Sequence, residues 1–223
     1  MKRALAIFAK TPLPGQVKTR LTPPLSPGQS ADLYRCMLLD TLERTGALRV
    51  DTIVCYEGGG EFFREAAPDA TLMHQSAGGL GTRLESAFDA LANLGYGPCV
   101  VIGTDAPDLP LSFIEEAFGR LEQGSDAVFG PAEDGGYYLV GVRGGYGSLF
   151  REIPWSTGNV LRASLEQAKV SGLSAAILPP WYDVDSHEDL LRPGLLDPAN
   201  GAARTRAFIA GLDLAATLAA DAV

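Results

Sequence analysis

The chain has 223 residues, 46% hydrophobic and 20% charged, a composition suited to one α/β domain with an ample core. Its net charge of −9 excludes nucleic acid held by a general electrostatic footprint. No apolar run approaches the roughly 18 residues of a membrane span, and MKRALAIFA is too short for a signal segment, so a cytoplasmic setting is expected.

Strand-like apolar runs fall at ALAIFA (4–9), DTIVCY (51–56), ATLMH (70–74), CVVIG (99–103), DAVFGPA (126–132), YYLVGV (137–142) and AAILP (175–179). Segments of helical period lie between them. Ser26, Pro27 and Gln29 make a capping box that opens a helix through Leu42, with Gly46 as its stop. Ser112 with Glu115 reads as a second capping box, opening a helix that ends at Gly124. Short continuous strands alternating with helices imply a single-domain, mostly parallel, Rossmann-like sheet with helices on both faces. One domain over 1–223 is the simplest division. Its tail, from about residue 193, reads as a helical extension packed on the domain or on a twin subunit, the latter making a homodimer.

In such sheets ligands bind at the carboxyl ends of the strands, so the segments that follow strands carry the functional reading. After the first strand comes KTPLPGQVKTRL. Pro12 and Pro14 stiffen this loop, and Gly15 permits a sharp turn or close approach of a ligand. Lys10, Lys18 and Arg20 could supply cations to a diphosphate. The GxxxxGK[ST] spacing is absent, so this is no Walker A loop. After the fourth strand comes GTDAPDLP, where Asp105 and Asp108 either hold Mg²⁺ or cap a turn and the next helix. After the last strand comes WYDVDSHEDLL, where Asp183 and Asp185 straddle Val184 and point to one side. Three loops that agree favour a metal and a diphosphate.

Three further segments are rich in glycine or hydroxyls. In SAGGLGTRLESAF, Gly79 and Gly81 either let backbone amides reach a base or sugar or only turn strand into helix, and Arg83 follows one turn later. In EDGGYYLVGV, Gly135 and Gly136 permit an acceptor to approach beside Tyr137, and Asp134 could hold its hydroxyls or act as a base. Asp-Gly is also a strong hairpin signal. PWSTGN offers Trp155, Ser156 and Thr157 to an acceptor, or a helix cap. His74 and His187 show no zinc spacing, and Cys36, Cys55 and Cys99 have no CxxC pattern; Cys55 and Cys99 read as core residues.

FAKTPLPGQVKTRL, GGLGTRLESAF, GTDAPDLP, DGGYYLVG, PWST and DVDSHEDL, in that order, resemble a bacterial family of glycosyltransferase-like proteins. The likeness spans residues 3 to about 192. It implies the A-type glycosyltransferase fold of the nucleotide-diphospho-sugar transferases, a nucleotide-activated donor and a divalent metal, Mg²⁺ or Mn²⁺; some members are assigned to arsenosugar biosynthesis. The wider superfamily includes guanylyl- and cytidylyltransferases whose first loop is LAGGxSxRMG followed by a lysine. FAKTPLPGQVKTR stands in that place here. By this resemblance the metal ligands carry over to Asp105 and Asp185, and TDAPD departs from a strict DxD.

The expected activity is sugar transfer from a nucleoside diphosphate donor. Asp105 and Lys18 would act on the departing diphosphate, and Asp134 would serve as an acceptor-side base. A nucleotidyltransferase that joins an NTP to a phosphorylated small molecule is the alternative, and a non-catalytic nucleotide-binding protein is a third reading.

Overall fold

The run KRALAIFAK forms β1 (Lys2–Lys10), whose side chains part to two faces with period two. Ala4 and Ala6 join one core cluster, Leu5 and Ile7 another. A computed structural model describes residues 2–212. After β1 come α1 (Pro27–Thr45), β2 (Asp51–Glu57), α2 (Glu61–Ala66), β3 (Thr71–His74), α3 (Leu80–Asn93), β4 (Tyr96–Ile102), α4 (Leu111–Glu122), β5 (Ala127–Pro131) and β6 (Tyr137–Val142). Then follow α5 (Val160–Val170), β7 (Ala175–Ile177), α6 (Pro193–Leu196) and α7 (Ala203–Ala210). All seven strand runs read from the sequence are strands, though β4 begins earlier, at Tyr96.

The seven strands form one sheet in the order β3-β2-β1-β4-β6-β5-β7. All neighbours run parallel except β6, which is antiparallel to both β4 and β5. The Asp-Gly turn makes β5–β6 a hairpin and so supplies the reversed strand. The fold class expected from the sequence is therefore the one observed.

Alternation along the strands sorts the helices. Leu84, Phe88 and Leu91 of α3 meet Ala4, Ala6, Cys55 and Val101 on one face. Ile114, Phe118 and Leu121 of α4 meet Leu5, Ile7, Val100 and Ile102 on the other. Each buried Leu, Ile or Phe contributes about 1.5–3 kcal/mol relative to an exposed one. Cys55 and Cys99 are buried in this core, as their apolar runs suggest.

The capping box of α1 is formed: Gln29 N donates to Ser26 Oγ at 3.2 Å, and Ser26 N donates to Gln29 Oε1 at 2.9 Å. The second expected box is not. Pro110 occupies the N-cap of α4 with no side-chain bond, so Ser112 already lies inside the first turn and cannot cap it. The C-terminal α7 packs on α1 of the same chain. Asp40, 2% exposed, accepts hydrogen bonds from Thr205 N and Thr205 Oγ1, both at 2.8 Å, and from Arg204 N at 3.1 Å. The Ala-rich helix expected toward Val223 lies outside the described residues.

Candidate functional site

Chain order reverses between β1 and β4, whose carboxyl ends lie side by side. A cleft of about 810 Å³ opens there. The antiparallel β6 contributes its first residue, Tyr137, to the same edge, and the segment after β7 crosses to it as Asp183–Asp185.

At the centre of the cleft the Lys18 ammonium lies between two carboxylates. It donates to Asp105 Oδ1, to Asp185 Oδ1 at 2.9 Å and to the Val184 carbonyl at 2.6 Å. Its side chain is 4% exposed although the backbone belongs to a surface loop. Burial alone would lower the Lys18 pKa, but the two carboxylates outweigh it and hold it at about 12. Lys18 adopts a left-handed conformation (φ 47°, ψ 40°), which costs a non-glycine residue about 1–2 kcal/mol. Arg20 Nη1 reaches Asp185 Oδ2 at 3.3 Å while its side chain stays 76% exposed.

Val184 is fully buried, and Asp183 and Asp185 on either side of it both line the cleft, as an extended segment requires. Burial, with the charge of Asp105 beside it, raises the Asp183 pKa to about 7. Lys18 pulls in the opposite direction. Asp134 also lines the cleft, where its Oδ1 accepts from Gly136 N at 2.8 Å and shapes the hairpin turn. The hairpin reading of Asp-Gly is thus observed, at a residue that also lines the cleft.

Lys10, the last residue of β1, and Arg83 of α3 also line the cleft. Both address Glu57, Arg83 at 2.5 Å and Lys10 at 3.8 Å. Gln75 bridges Arg83 to the strand ends: its Nε2 donates to Cys55 O at 2.7 Å and Ala9 O at 3.3 Å, and its Oε1 accepts from Arg83 at 3.3 Å. Tyr34 extends from α1 beneath this edge, where its hydroxyl accepts from Lys10 N at 2.9 Å and Thr104 Oγ1 at 3.0 Å. Sequence reading did not single out Tyr34, Thr104, Gln75 or Glu57. Only the register of β1, β2 and β4 brings them together.

The structure divides the remaining candidates. Gly136, Tyr137, Trp155, Ser156 and Thr157 line the cleft. Pro12, Gly15, Gly79, Gly81 and Gly135 do not. Gly15 (φ 75°) turns the loop in open space. Gly79 is the N-cap of α3 and likewise faces open space. At Gly81 an added Cβ would come within 2.8 Å of both Phe150 O and Trp155 Nε1, so this glycine lets α3 press against the indole. At Gly135 (φ 88°) a Cβ would lie 2.2 Å from Gly158 O. Both glycines permit close packing, Gly81 against the Phe150 carbonyl and the Trp155 indole and Gly135 against the Gly158 backbone. Thr157 Oγ1 donates to Pro154 O at 2.7 Å and accepts from Asn159 N at 3.3 Å, which holds the loop before α5. Asp108 is buried and does not line the cleft; it accepts hydrogen bonds from Tyr182 and Trp181.

Among the described residues no three carboxylate, imidazole or thiol groups converge as a complete metal site. Two carboxylates do converge on one positive centre, with Lys18 as the cation between them. That donor set fits Mg²⁺ or Mn²⁺, hard ions held by one or two carboxylates together with water and substrate phosphates.

Residues 40–157 match a family described as an uncharacterized protein conserved in bacteria, DUF2064. The chain belongs to this family. No curated protein matches it. Among solved structures, a Desulfovibrio desulfuricans G20 protein provisionally named a nucleotide-diphospho-sugar transferase is 32% identical, with a TM-score of 0.83 over 94% of this chain and 97% of that one. A cytidylyltransferase from Leptospira borgpetersenii is 16% identical, with a TM-score of 0.52 over 83% of this chain and 79% of its own. A 4-diphosphocytidyl-2C-methyl-D-erythritol synthase is 12% identical, with a TM-score of 0.56 over 88% and 99%. The last two show a shared fold. The DUF2064 chain therefore has the nucleotide-diphospho-sugar transferase fold that its motifs resemble. Its described residues contain no helix long and apolar enough to cross a membrane.

Proposed function

We propose that this DUF2064 protein is a nucleotide-utilising transferase whose donor is a nucleoside diphosphate sugar, with the diphosphate bound at the carboxyl ends of β1 and β4. The observation that carries this reading is the meeting of Lys18 with Asp105 and Asp185, from three distant parts of the chain, on one wall of the cleft. The relative from Desulfovibrio desulfuricans, with its provisional name, supports the same donor class.

Charge bookkeeping supports a divalent cation. The cleft is lined by Lys10, Lys18, Arg20 and Arg83, and equally by Asp105, Asp134, Asp183 and Asp185. With Asp183 part-protonated near neutral pH these sets nearly offset one another, so a diphosphate entering alone would leave the site negative. Asp105 and Asp185 would hold Mg²⁺ or Mn²⁺, which, when bound, supplies Lewis-acid stabilisation of charge on phosphate oxygens. Arg20, exposed apart from Asp185, is free to turn its planar fork toward phosphate oxygens. Lys10 adds charge at the end of β1. On the acceptor wall, Asp134 keeps Oδ1 on the Gly136 amide and has Oδ2 to accept a hydroxyl proton. Trp155 and Tyr137 supply apolar faces for a sugar ring, and Thr157 and Ser156 lie beside them.

The test is a thermal-shift panel of nucleotides and nucleotide sugars with and without Mn²⁺, followed by product analysis. A nucleoside diphosphate sugar well above its dissociation constant should stabilise the fold by roughly 2–4 kcal/mol, with Mn²⁺ strengthening the effect. Asp105→Ala and Asp185→Ala should abolish that strengthening. Pyrophosphate release from an NTP, with no use of nucleotide sugars, would overturn the donor class in favour of nucleotidyl transfer. Nucleotide binding without turnover of any donor would make the protein a binding module.

A further inference from the structure

Lys18 does not present its ammonium to the cleft as a free phosphate-binding cation would. Its three acceptors are Asp105, Asp185 and the Val184 carbonyl, and its side chain is buried. Arg20 takes the other oxygen of Asp185. One loop therefore engages both oxygens of Asp185 and one oxygen of Asp105. A Mg²⁺ or Mn²⁺ ion held by that pair needs the same oxygens and repels the same ammonium.

We propose that Lys18 is the resident counter-ion of the Asp105–Asp185 pair, and that a divalent cation and the Lys18 ammonium are alternative occupants of that place. Cation entry then turns Lys18 out of the pair, toward the phosphates of the guest, and frees the loop that carries it. The inference rests on the assignment of Asp105 and Asp185 as the cation-holding pair.

Release of this tie removes the polar restraint on the loop and leaves its local and apolar contacts. Among the described residues, its backbone hydrogen bonds from Leu13 to Arg20 stay local: Leu13 N to Thr11 O, Gln16 N to Leu13 O, Leu21 N to Lys18 O and Thr22 N to Thr19 O. The polar ties of this stretch to the rest of the protein are the side chains of Lys18 and Arg20. Val17 and Leu21 are buried and anchor it apolarly on either side of Lys18. Lys18 has a left-handed backbone while it makes these contacts, and leaving the pair would allow that backbone to relax. The order of events differs from simple phosphate binding: the cation comes first, and the phosphate-facing lysine is a consequence of its arrival.

The experiment measures Mn²⁺ binding by electron paramagnetic resonance, with no nucleotide present, for the wild type, Lys18→Met, Lys18→Arg and Asp105→Asn. A lysine that occupies the pair lowers apparent cation affinity by the fraction of time the pair is free, so Lys18→Met should bind Mn²⁺ at least about tenfold more tightly than wild type. Lys18→Arg should keep the competition. Equal or weaker Mn²⁺ binding by Lys18→Met, with binding still lost in Asp105→Asn, would overturn the exchange while leaving the cation pair in place. Mn²⁺ binding absent from both wild type and Lys18→Met would remove the pair itself and the inference with it. A measurement on the wild type needs no variant: hydrogen exchange of amides 16–22 should accelerate when Mn²⁺ alone is added. Unchanged or slower exchange there would count against the proposal.

Discussion

The Val184 amide donates to the Asp105 carbonyl at 2.8 Å, which joins the segment after β7 to the loop after β4. This backbone contact sets Asp185 opposite Asp105 with Lys18 between them. It also draws Asp183 into a half-buried position near Asp105, and the energetic consequence is measurable.

Burial, reinforced by Asp105, lifts the Asp183 pKa from its ordinary 3.8 to about 7. A carboxyl whose folded pKa is raised holds a proton that the unfolded chain releases, so stability falls as pH rises from about 4 to about 7 and stays reduced above that window. Asp183→Asn removes the loss. In the presence of a chelator the variant should be more stable than wild type by roughly 1–3 kcal/mol near pH 8 and nearly equal to it near pH 4. Urea titrations at both pH values decide it, and an equal gain at both would contradict the assignment.

Tyr34→Phe keeps the volume of the ring but removes the oxygen that accepts from Lys10 N and Thr104 Oγ1. Two donors beneath the cleft then lose their partner, at a cost of about 1–3 kcal/mol. Urea denaturation gives the magnitude. Faster exchange of the Lys10 amide would place the loss at the end of β1.

Gly135→Ala would put a Cβ 2.2 Å from Gly158 O at a φ of 88°. Both contact and backbone oppose it, and a loss of about 2–4 kcal/mol is expected. Gly119→Ala in α4 is the control, since its Cβ would meet nothing within 4 Å. That change should stabilise by up to about 1 kcal/mol. Paired thermal melts would show opposite signs if space and φ are the deciding factors.

Asp40→Ala removes the acceptor for Thr205 N, Thr205 Oγ1 and Arg204 N, all contributed by α7. The buried side of this network then has unsatisfied donors, with an expected cost of about 2–4 kcal/mol. Release of α7 from α1 should also make tryptic cleavage at Arg204 and Arg206 faster than in wild type. Cleavage at an unchanged rate would show that apolar packing of Ile209 alone holds the helix.

Several parts of the site were legible in the sequence because they depend on local chemistry. Cations following β1, an aspartate following β4 and paired carboxylates following β7 could be placed on one sheet edge from strand order alone. The partners of these groups could not. Lys10, Lys18 and Arg20 look alike in the sequence, yet Lys10 ends β1 and leans on Glu57, Lys18 is buried between carboxylates and Arg20 remains in solvent. Gly81 and Gly135 leave ligand approach and a local turn equally open in the sequence, and the structure sets an indole or another piece of backbone against each.

By itself the sequence determined the seven strands, the capping box at Ser26 and a largely parallel α/β sheet. Those features follow from apolar periodicity and turn chemistry among neighbouring residues, which a linear string records. The Asp-Gly signal already reverses β6 against β5, but only the tertiary structure decided that β6 also inserts beside β4, and that Lys18, Asp105 and Asp185 share one point in space. Charges interact through distance and burial rather than separation along the chain, and those are created only when the sheet closes its register.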